Sequence, residues 1–180
     1  MDEDQLFDRA AIIRDYTWAR SDLHGLLHSA TDDDLGRPSS GTRWTNEELL
    51  FHMVFGYVIV RTLLPLVRLV SRLPSCVGRT FSRLLNAGTI PFHLINFWGA
   101  RVAARVFNQH RMGALMDWTA TAILRRLHDE PQTRLAAGMP FPTRWDPFFE
   151  PVMSLGDVYR YPTQHYRFHR KQLTLPAARE

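Results

Sequence analysis

The sequence contains one cysteine, Cys76, and one lysine, Lys171. A single cysteine excludes both an intrachain disulfide framework and a cysteine-rich zinc site. The first residues are acidic and no apolar signal core follows them, so no secretory signal is predicted. We therefore expect a protein of the reducing cytoplasm.

Acidic residues are absent from the middle of the chain. Between Leu49 and Met116 there is no aspartate or glutamate, whereas this basic segment holds eight arginines. They are Arg61, Arg68, Arg72, Arg79, Arg83, Arg101, Arg105 and Arg111. The pattern is typical of a solvated basic surface, or of one that attracts an anionic small molecule or a membrane surface. No nucleic-acid-binding motif accompanies the charge, so nucleic acid is not an expected partner.

A clean transmembrane run is also lacking. The most apolar stretch, residues 54–70, contains Arg61 and Arg68 and is expected to break at Pro65. It predicts a core helix followed by a covering segment, and weak in-plane contact with a membrane is the alternative. With 180 residues, of which 45% are hydrophobic, the chain fits a single domain over residues 1–180.

Apolar residues recur at helical spacing in several segments. They predict long amphipathic helices over residues 3–30 and 97–129. Residues 31–43 are rich in Asp, Pro, Ser and Gly and predict a loop. Residues 71–96 contain repeated Pro and Gly breaks and predict a long connection with one short helix. No segment predicts a strand, so the expected fold class is all-α.

Two capping patterns mark further helix starts. Thr45 with Glu48, and Ser154 with Asp157, place an acid three residues after a hydroxyl side chain. Such capping boxes predict that a second helix begins after Thr45 and the last helix after Ser154. Pro162 lies inside the last helix and is expected to bend it.

The 139–149 segment is stiff and aromatic. It combines three prolines with Phe141, Trp145, Phe148 and Phe149. We expect these rings to be buried at the mouth of the helical fold. Trp145 and Phe148 would close over a site there, and plain anchoring of the loop is the alternative.

Three histidines are candidate metal ligands. His165 and His169 are four residues apart, which places them about 5.4 Å apart on one helix face. His52 lies on the predicted inward face of the second helix and would add a third nitrogen. Three neutral imidazoles leave a coordination position open, as in catalytic zinc sites, and imidazole also suits Ni²⁺ and Fe²⁺. The simpler alternative for His52 is an ordinary core histidine.

The two histidine segments resemble motifs of the DinB superfamily. Residues 44–52 are similar to its second-helix motif, and residues 165–173, a histidine pair ending in Gln-Leu, to its last-helix motif. The resemblance implies a DinB-like up-down-down-up four-helix bundle with a long connection between helices 2 and 3. It also implies a metal on His52, His165 and His169, and a homodimer in many members.

The same resemblance implies a function. Known activities in the family include transfer or isomerisation reactions that use a low-molecular-weight thiol, such as mycothiol or bacillithiol, and other members look like metal-dependent hydrolases. The preferred expectation is a transfer or isomerisation in which the thiol is the metal-bound nucleophile and the substrate is a small electrophile. A bound cation deprotonates such a thiol at neutral pH. The residues expected to contact the thiol or the small-molecule substrate are Arg101, Arg105, Asn108, Trp145, Tyr161 and Gln164.

Two alternatives use the same site differently. A metal-dependent hydrolase would attack its substrate with metal-bound water and needs a carboxylate base nearby. Glu48 is better explained as a cap and neither Asp146 nor Asp157 is strongly placed by the sequence, which mildly disfavours hydrolysis. A non-catalytic, metal-stabilised binding protein would close the site with a fourth ligand, such as His93 or Tyr161.

Overall fold

The structure, a computed structural model, describes residues 7–175 apart from the side chains of Ser75 and Phe92. The helices are α1 (Arg9–Ser29), α2 (Asp32–Gly36), α3 (Asn46–Val70), α4 (Ser75–Ala87), α5 (Thr89–Val106), α6 (Gln109–Asp129), α7 (Gln132–Leu135) and α8 (Leu155–Arg170). The strands β1 (Gly138–Pro140) and β2 (Val152–Ser154) pair in antiparallel register. The chain is mostly helical, as predicted.

Four of the long helices enclose the main core. α3 packs against α6 and α8, and α1 packs against the same two helices. Fully buried tyrosines fill much of the space between them: Tyr16, Tyr57, Tyr159 and Tyr166. Their hydroxyls are hydrogen-bonded, as buried polar groups require; that of Tyr57, for example, lies 2.8 Å from the Thr163 hydroxyl.

The expected break at Pro65 is wrong, because α3 continues through it to Val70. Proline has no amide hydrogen, so the Arg61 carbonyl one turn earlier loses its helical partner. The Arg126 guanidinium of α6 donates a hydrogen bond to this carbonyl at 2.9 Å. A side chain from another helix thus replaces the missing donor. Within residues 7–175, α3 alone is long and apolar enough to cross a membrane, but much of its surface is buried in the core.

The chain between α3 and α6 is more helical than predicted. Two helices, α4 and α5, replace the connection with one short helix. The predicted helix over 97–129 is divided at Phe107 and Asn108, where Asn108 has an extended backbone with ψ −179°. Helical spacing continues on both sides of this point, which is why periodicity alone did not reveal the division.

Three further differences are local. Residues 31–43 include α2, which Thr31 caps by accepting a hydrogen bond from the Asp34 amide. The strands β1 and β2 are three residues each, too short for a strand pattern. They flank residues 141–151, which include most of the aromatic segment and which we call the aromatic loop. The first helix begins at Arg9, and the predicted residues 3–6 lie outside the described part of the chain.

Both predicted capping boxes are confirmed. The Thr45 hydroxyl accepts from the Glu48 amide at 3.3 Å, and the Ser154 hydroxyl accepts from the Asp157 amide at 3.1 Å. α8 continues through Pro162 to Arg170. The caps fix where α3 and α8 begin.

Candidate metal centre

The three histidines of α3 and α8 lie together. Nε2 of His52 is 3.1 Å from Nε2 of His165, and the ligand nitrogens of the three, including His169, lie within 4.8 Å of one another. A tetrahedral zinc ion with bonds of about 2.0–2.1 Å holds its nitrogens about 3.3 Å apart. The three imidazoles are therefore close enough to bind one metal ion.

Burial keeps these histidines neutral. It lowers the pKa of His52 to about 3, with the charge of His169 adding to the effect. Burial also lowers the pKa of His165 well below its usual value, helped by both neighbouring histidines. The pKa of His169 is lowered by burial, although Gln172 and Asp146 oppose that shift. Neutral imidazole is the form that coordinates a metal, so the environment favours binding.

A hydrogen bond from outside the cluster orients His169, whereas the hydrogen-bond contact of His52 and His165 is with each other, between their Nε2 atoms. Nδ1 of His169 donates to Oε1 of Gln172 at 2.6 Å, which leaves the Nε2 lone pair of His169 free. Nδ1 of His52 and Nδ1 of His165 are buried and have no hydrogen-bond partner within residues 7–175. If each carries the proton, two buried Nε2 lone pairs face each other. That donor set fits a cation.

Trp44 and Gly56 border the histidine cluster. The Trp44 ring stacks on the His52 imidazole with centroids 4.4 Å apart and planes tilted by 31°. A Cβ atom on Gly56 would lie 3.0 Å from Nδ1 of His165. The His165 ring therefore fits against α3 because residue 56 has no side chain.

A carboxylate lies beside the histidines, contrary to the expectation that no acid is well placed. Oδ2 of Asp146 is 3.9 Å from Nε2 of His165. The Tyr161 hydroxyl donates to Oδ2 at 2.8 Å, and the Phe148 amide donates to Oδ1 at 2.9 Å. Burial raises the pKa of Asp146, while these two hydrogen bonds act against the shift. The stiff aromatic segment was expected at the mouth of the fold, but its sequence did not reveal which side chain would point inward.

An apolar cavity of about 110 Å³ adjoins Asp146 and Tyr161. Side chains from α3, α4, the aromatic loop and α8 form its walls, among them Val60, Val67, Phe81, Met139 and Phe149. Among the described residues that line it, Asp146 alone is charged. The Trp145 indole also lines the cavity and donates to the Leu85 carbonyl at 2.7 Å, which ties the loop to α4.

The remaining predicted substrate-binding residues lie elsewhere. Nε of Arg101 donates to Oε1 of Glu48 at 3.1 Å, and Glu48 also caps α3, as expected. Arg105 and Gln164 are exposed, and Asn108 immediately precedes α6. None of Arg101, Arg105, Asn108 and Gln164 lines the cavity. Their role in binding a substrate stays a prediction, whereas Trp145 and Tyr161 do line the cavity.

No protein-family model, curated protein or solved structure matches the chain. The family hypothesis accordingly depends on the motifs at residues 44–52 and 165–173. Three neutral histidines thus lie beside a carboxylate, and that carboxylate also lines an apolar cavity. This combination is typical of metal-dependent catalytic centres.

Proposed function

We propose that the protein is a metal-dependent hydrolase of a small substrate with an apolar group, built on a DinB-type four-helix bundle. The observation that most supports this is the Asp146 carboxylate, 3.9 Å from Nε2 of His165. His52, His165 and His169 would hold the divalent ion, with Zn²⁺ as the first choice and Ni²⁺ or Fe²⁺ as alternatives. When bound, the ion acidifies water to a pKa of about 7 and polarises a carbonyl.

The protein's own groups perform the other steps. Asp146 accepts the proton of the attacking water, and its carboxylate is held in place by the Tyr161 hydroxyl and the Phe148 amide. Gln172 holds His169 in the tautomer that presents Nε2. The apolar cavity binds the acyl or aryl part of the substrate and excludes water from it.

Thiol-dependent transfer, the reaction implied by the family resemblance, is the second candidate. Arg101 favours it, because its partly exposed guanidinium lies at Glu48, one turn before His52 on α3. There it would pair with a carboxylate of a thiol such as bacillithiol. The apolar cavity would then hold the electrophile, since its walls offer few partners for the hydroxyls of a sugar.

The test is a panel of aryl and alkyl esters and amides, assayed with the zinc-loaded protein in the presence and absence of added thiol. We expect hydrolysis without thiol, and we expect Asp146→Asn to lower kcat by about 10²–10⁴-fold while the metal stays bound. Glu150→Gln is the matched control, because Glu150 is an exposed acid of the same loop. It should keep full activity.

Two results would contradict the hydrolase assignment. Turnover only with thiol would establish the transferase instead. Absence of turnover under both conditions at full metal occupancy would indicate a non-catalytic, metal-stabilised protein.

A further inference from the structure

Helix α5 carries apolar residues on all sides, although only one side is covered by the described part of the protein. α5 packs against α3, and the buried residues among its described side chains are Ala100 and Ala104. Large apolar side chains on the other half are exposed: Ile90, Leu94, Ile95, Trp98, Val102 and Val106. At about 100° per residue these six positions lie within an arc of about 160°, which also contains Arg101 and Arg105. We call this the α5 face.

The exposure is too extensive for scattered surface residues. Leu94, Trp98 and Val102 follow one another at intervals of one turn and are 57%, 56% and 59% exposed. Exposed apolar residues continue in the preceding segment, with Leu73, Val77 and Leu84 at 43%, 42% and 69%. A contiguous apolar surface of this kind marks a contact with a partner or a membrane.

The unpaired charges around the α5 face have a single sign, because the Glu48 carboxylate beside α5 is paired with Arg101. Arg72, Arg83 and Arg105 are exposed, and no carboxylate among the described residues pairs with them. The whole segment between Leu49 and Met116 lacks acids. The complementary partner is therefore negatively charged at its surface and apolar just beneath it. An anionic lipid bilayer has both properties.

We propose that the α5 face docks on the surface of an anionic bilayer, with the helix lying in the membrane plane. Its apolar side chains would enter the headgroup and acyl boundary, while the arginines contact lipid phosphates. A second copy of the chain is a poorer partner for this face. A two-fold contact would bring Arg105 of both copies to one interface that has no acid from this segment to neutralise it.

The test is co-sedimentation of the full chain with vesicles of phosphatidylcholine alone and with vesicles that also contain phosphatidylglycerol. We expect binding to the anionic vesicles that weakens as salt is added. Leu94→Glu with Val102→Glu should lower the partition coefficient about tenfold or more, because two apolar side chains that would enter the bilayer become charged. Ile13→Glu on α1, where Ile13 is 49% exposed, is the matched control and should bind normally.

A second pair of variants tests the charge. Arg105→Gln should weaken binding to anionic vesicles about fivefold, as loss of one arginine near the membrane predicts. Arg125→Gln, which removes an exposed arginine of α6, should have no effect. Circular dichroism and cobalt binding would verify that each variant is folded.

Three outcomes would overturn the proposal. The first is that the unmodified protein does not bind anionic vesicles. The second is that the control variants weaken binding as much as the α5 variants do. The third is a dimer in analytical ultracentrifugation that Leu94→Glu with Val102→Glu dissociates, since the α5 face would then be a protein interface.

Discussion

The four core helices and the α4–α5 segment use similar residues in opposite ways. In the core, apolar side chains are buried and charges are paired; Glu130, for example, is fully buried between Arg68 and Arg134. On α4 and α5 the apolar side chains are largely exposed, and Arg83 and Arg105 have no partner among the described residues. Isoleucine and arginine thus stabilise the fold in one region and are available for an external contact in the other.

Matched isoleucine substitutions should show the largest difference between the regions. Ile123 of α6 is 0% exposed, whereas Ile95 of α5 is 69% exposed. We expect Ile123→Ala to lower the free energy of unfolding by about 2–5 kcal/mol, because it leaves a cavity. Ile95→Ala should change it by less than about 0.5 kcal/mol. Urea unfolding measures both, and equal losses would mean that α5 is packed as tightly as the core.

The stability of the metal-free core should also depend on pH. The folded pKa of His52 is about 3, below its usual value of 6.5, so its contribution is complete above pH 6.5 and is lost as pH falls toward 3. Between pH 6.5 and 3, each histidine held neutral in this way should lower the free energy of unfolding by about 1.4 kcal/mol for every unit by which the pH falls. Urea unfolding of the metal-free protein should show a shallower pH slope in His52→Gln. An unchanged slope would mean that His52 is not held neutral.

Loss of the hydrogen bond to His169 should weaken metal binding. Gln172→Met removes the acceptor of Nδ1 of His169 and should raise the Kd for Zn²⁺ about 10–100-fold. Gln164→Met is the control, because Gln164 is an exposed residue of α8. Competition with a chelating dye measures the affinity. Similar losses of Zn²⁺ affinity in both variants would indicate a general effect on α8 and not a specific effect on His169.

Glycine substitutions give the smallest contrast between the regions. Gly56→Ala places a Cβ atom 3.0 Å from Nδ1 of His165, whereas a Cβ on Gly99 of α5 meets nothing within 4 Å. We expect Gly56→Ala to weaken metal binding about tenfold, because it displaces a ligand ring. Gly99→Ala should leave the metal in place and stabilise α5 by about 0.5–1 kcal/mol. Isothermal titration with Zn²⁺ and urea unfolding would test the pair.

Features set by neighbouring residues could be predicted from the sequence. The caps at Thr45 and Ser154 depend on a hydroxyl and an acid three residues later, so the pattern itself contains the interaction. The histidine pair of α8 follows from a spacing of four residues, and the inward position of His52 follows from the apolar periodicity of α3.

Features set by tertiary contacts could not be predicted from the sequence. The continuity of α3 through Pro65 depends on the guanidinium of Arg126, which is distant in sequence. The position of Asp146 depends on how the aromatic loop packs against Tyr161 and α4. The exposure of α5 could not be predicted either, because an apolar helix has the same sequence pattern whether or not another surface covers it.

The most direct test of the central claim is the metal content of the purified protein and of three single variants, His52→Ala, His165→Ala and His169→Ala. Equilibrium dialysis against Zn²⁺ followed by mass spectrometry of the metal gives the stoichiometry. One ion per chain is predicted for the unmodified protein, and a loss of tight binding in each variant, with His110→Ala, an exposed histidine, as the unaffected control. Full occupancy in His52→Ala, or no bound ion in the unmodified protein, would contradict the three-histidine site.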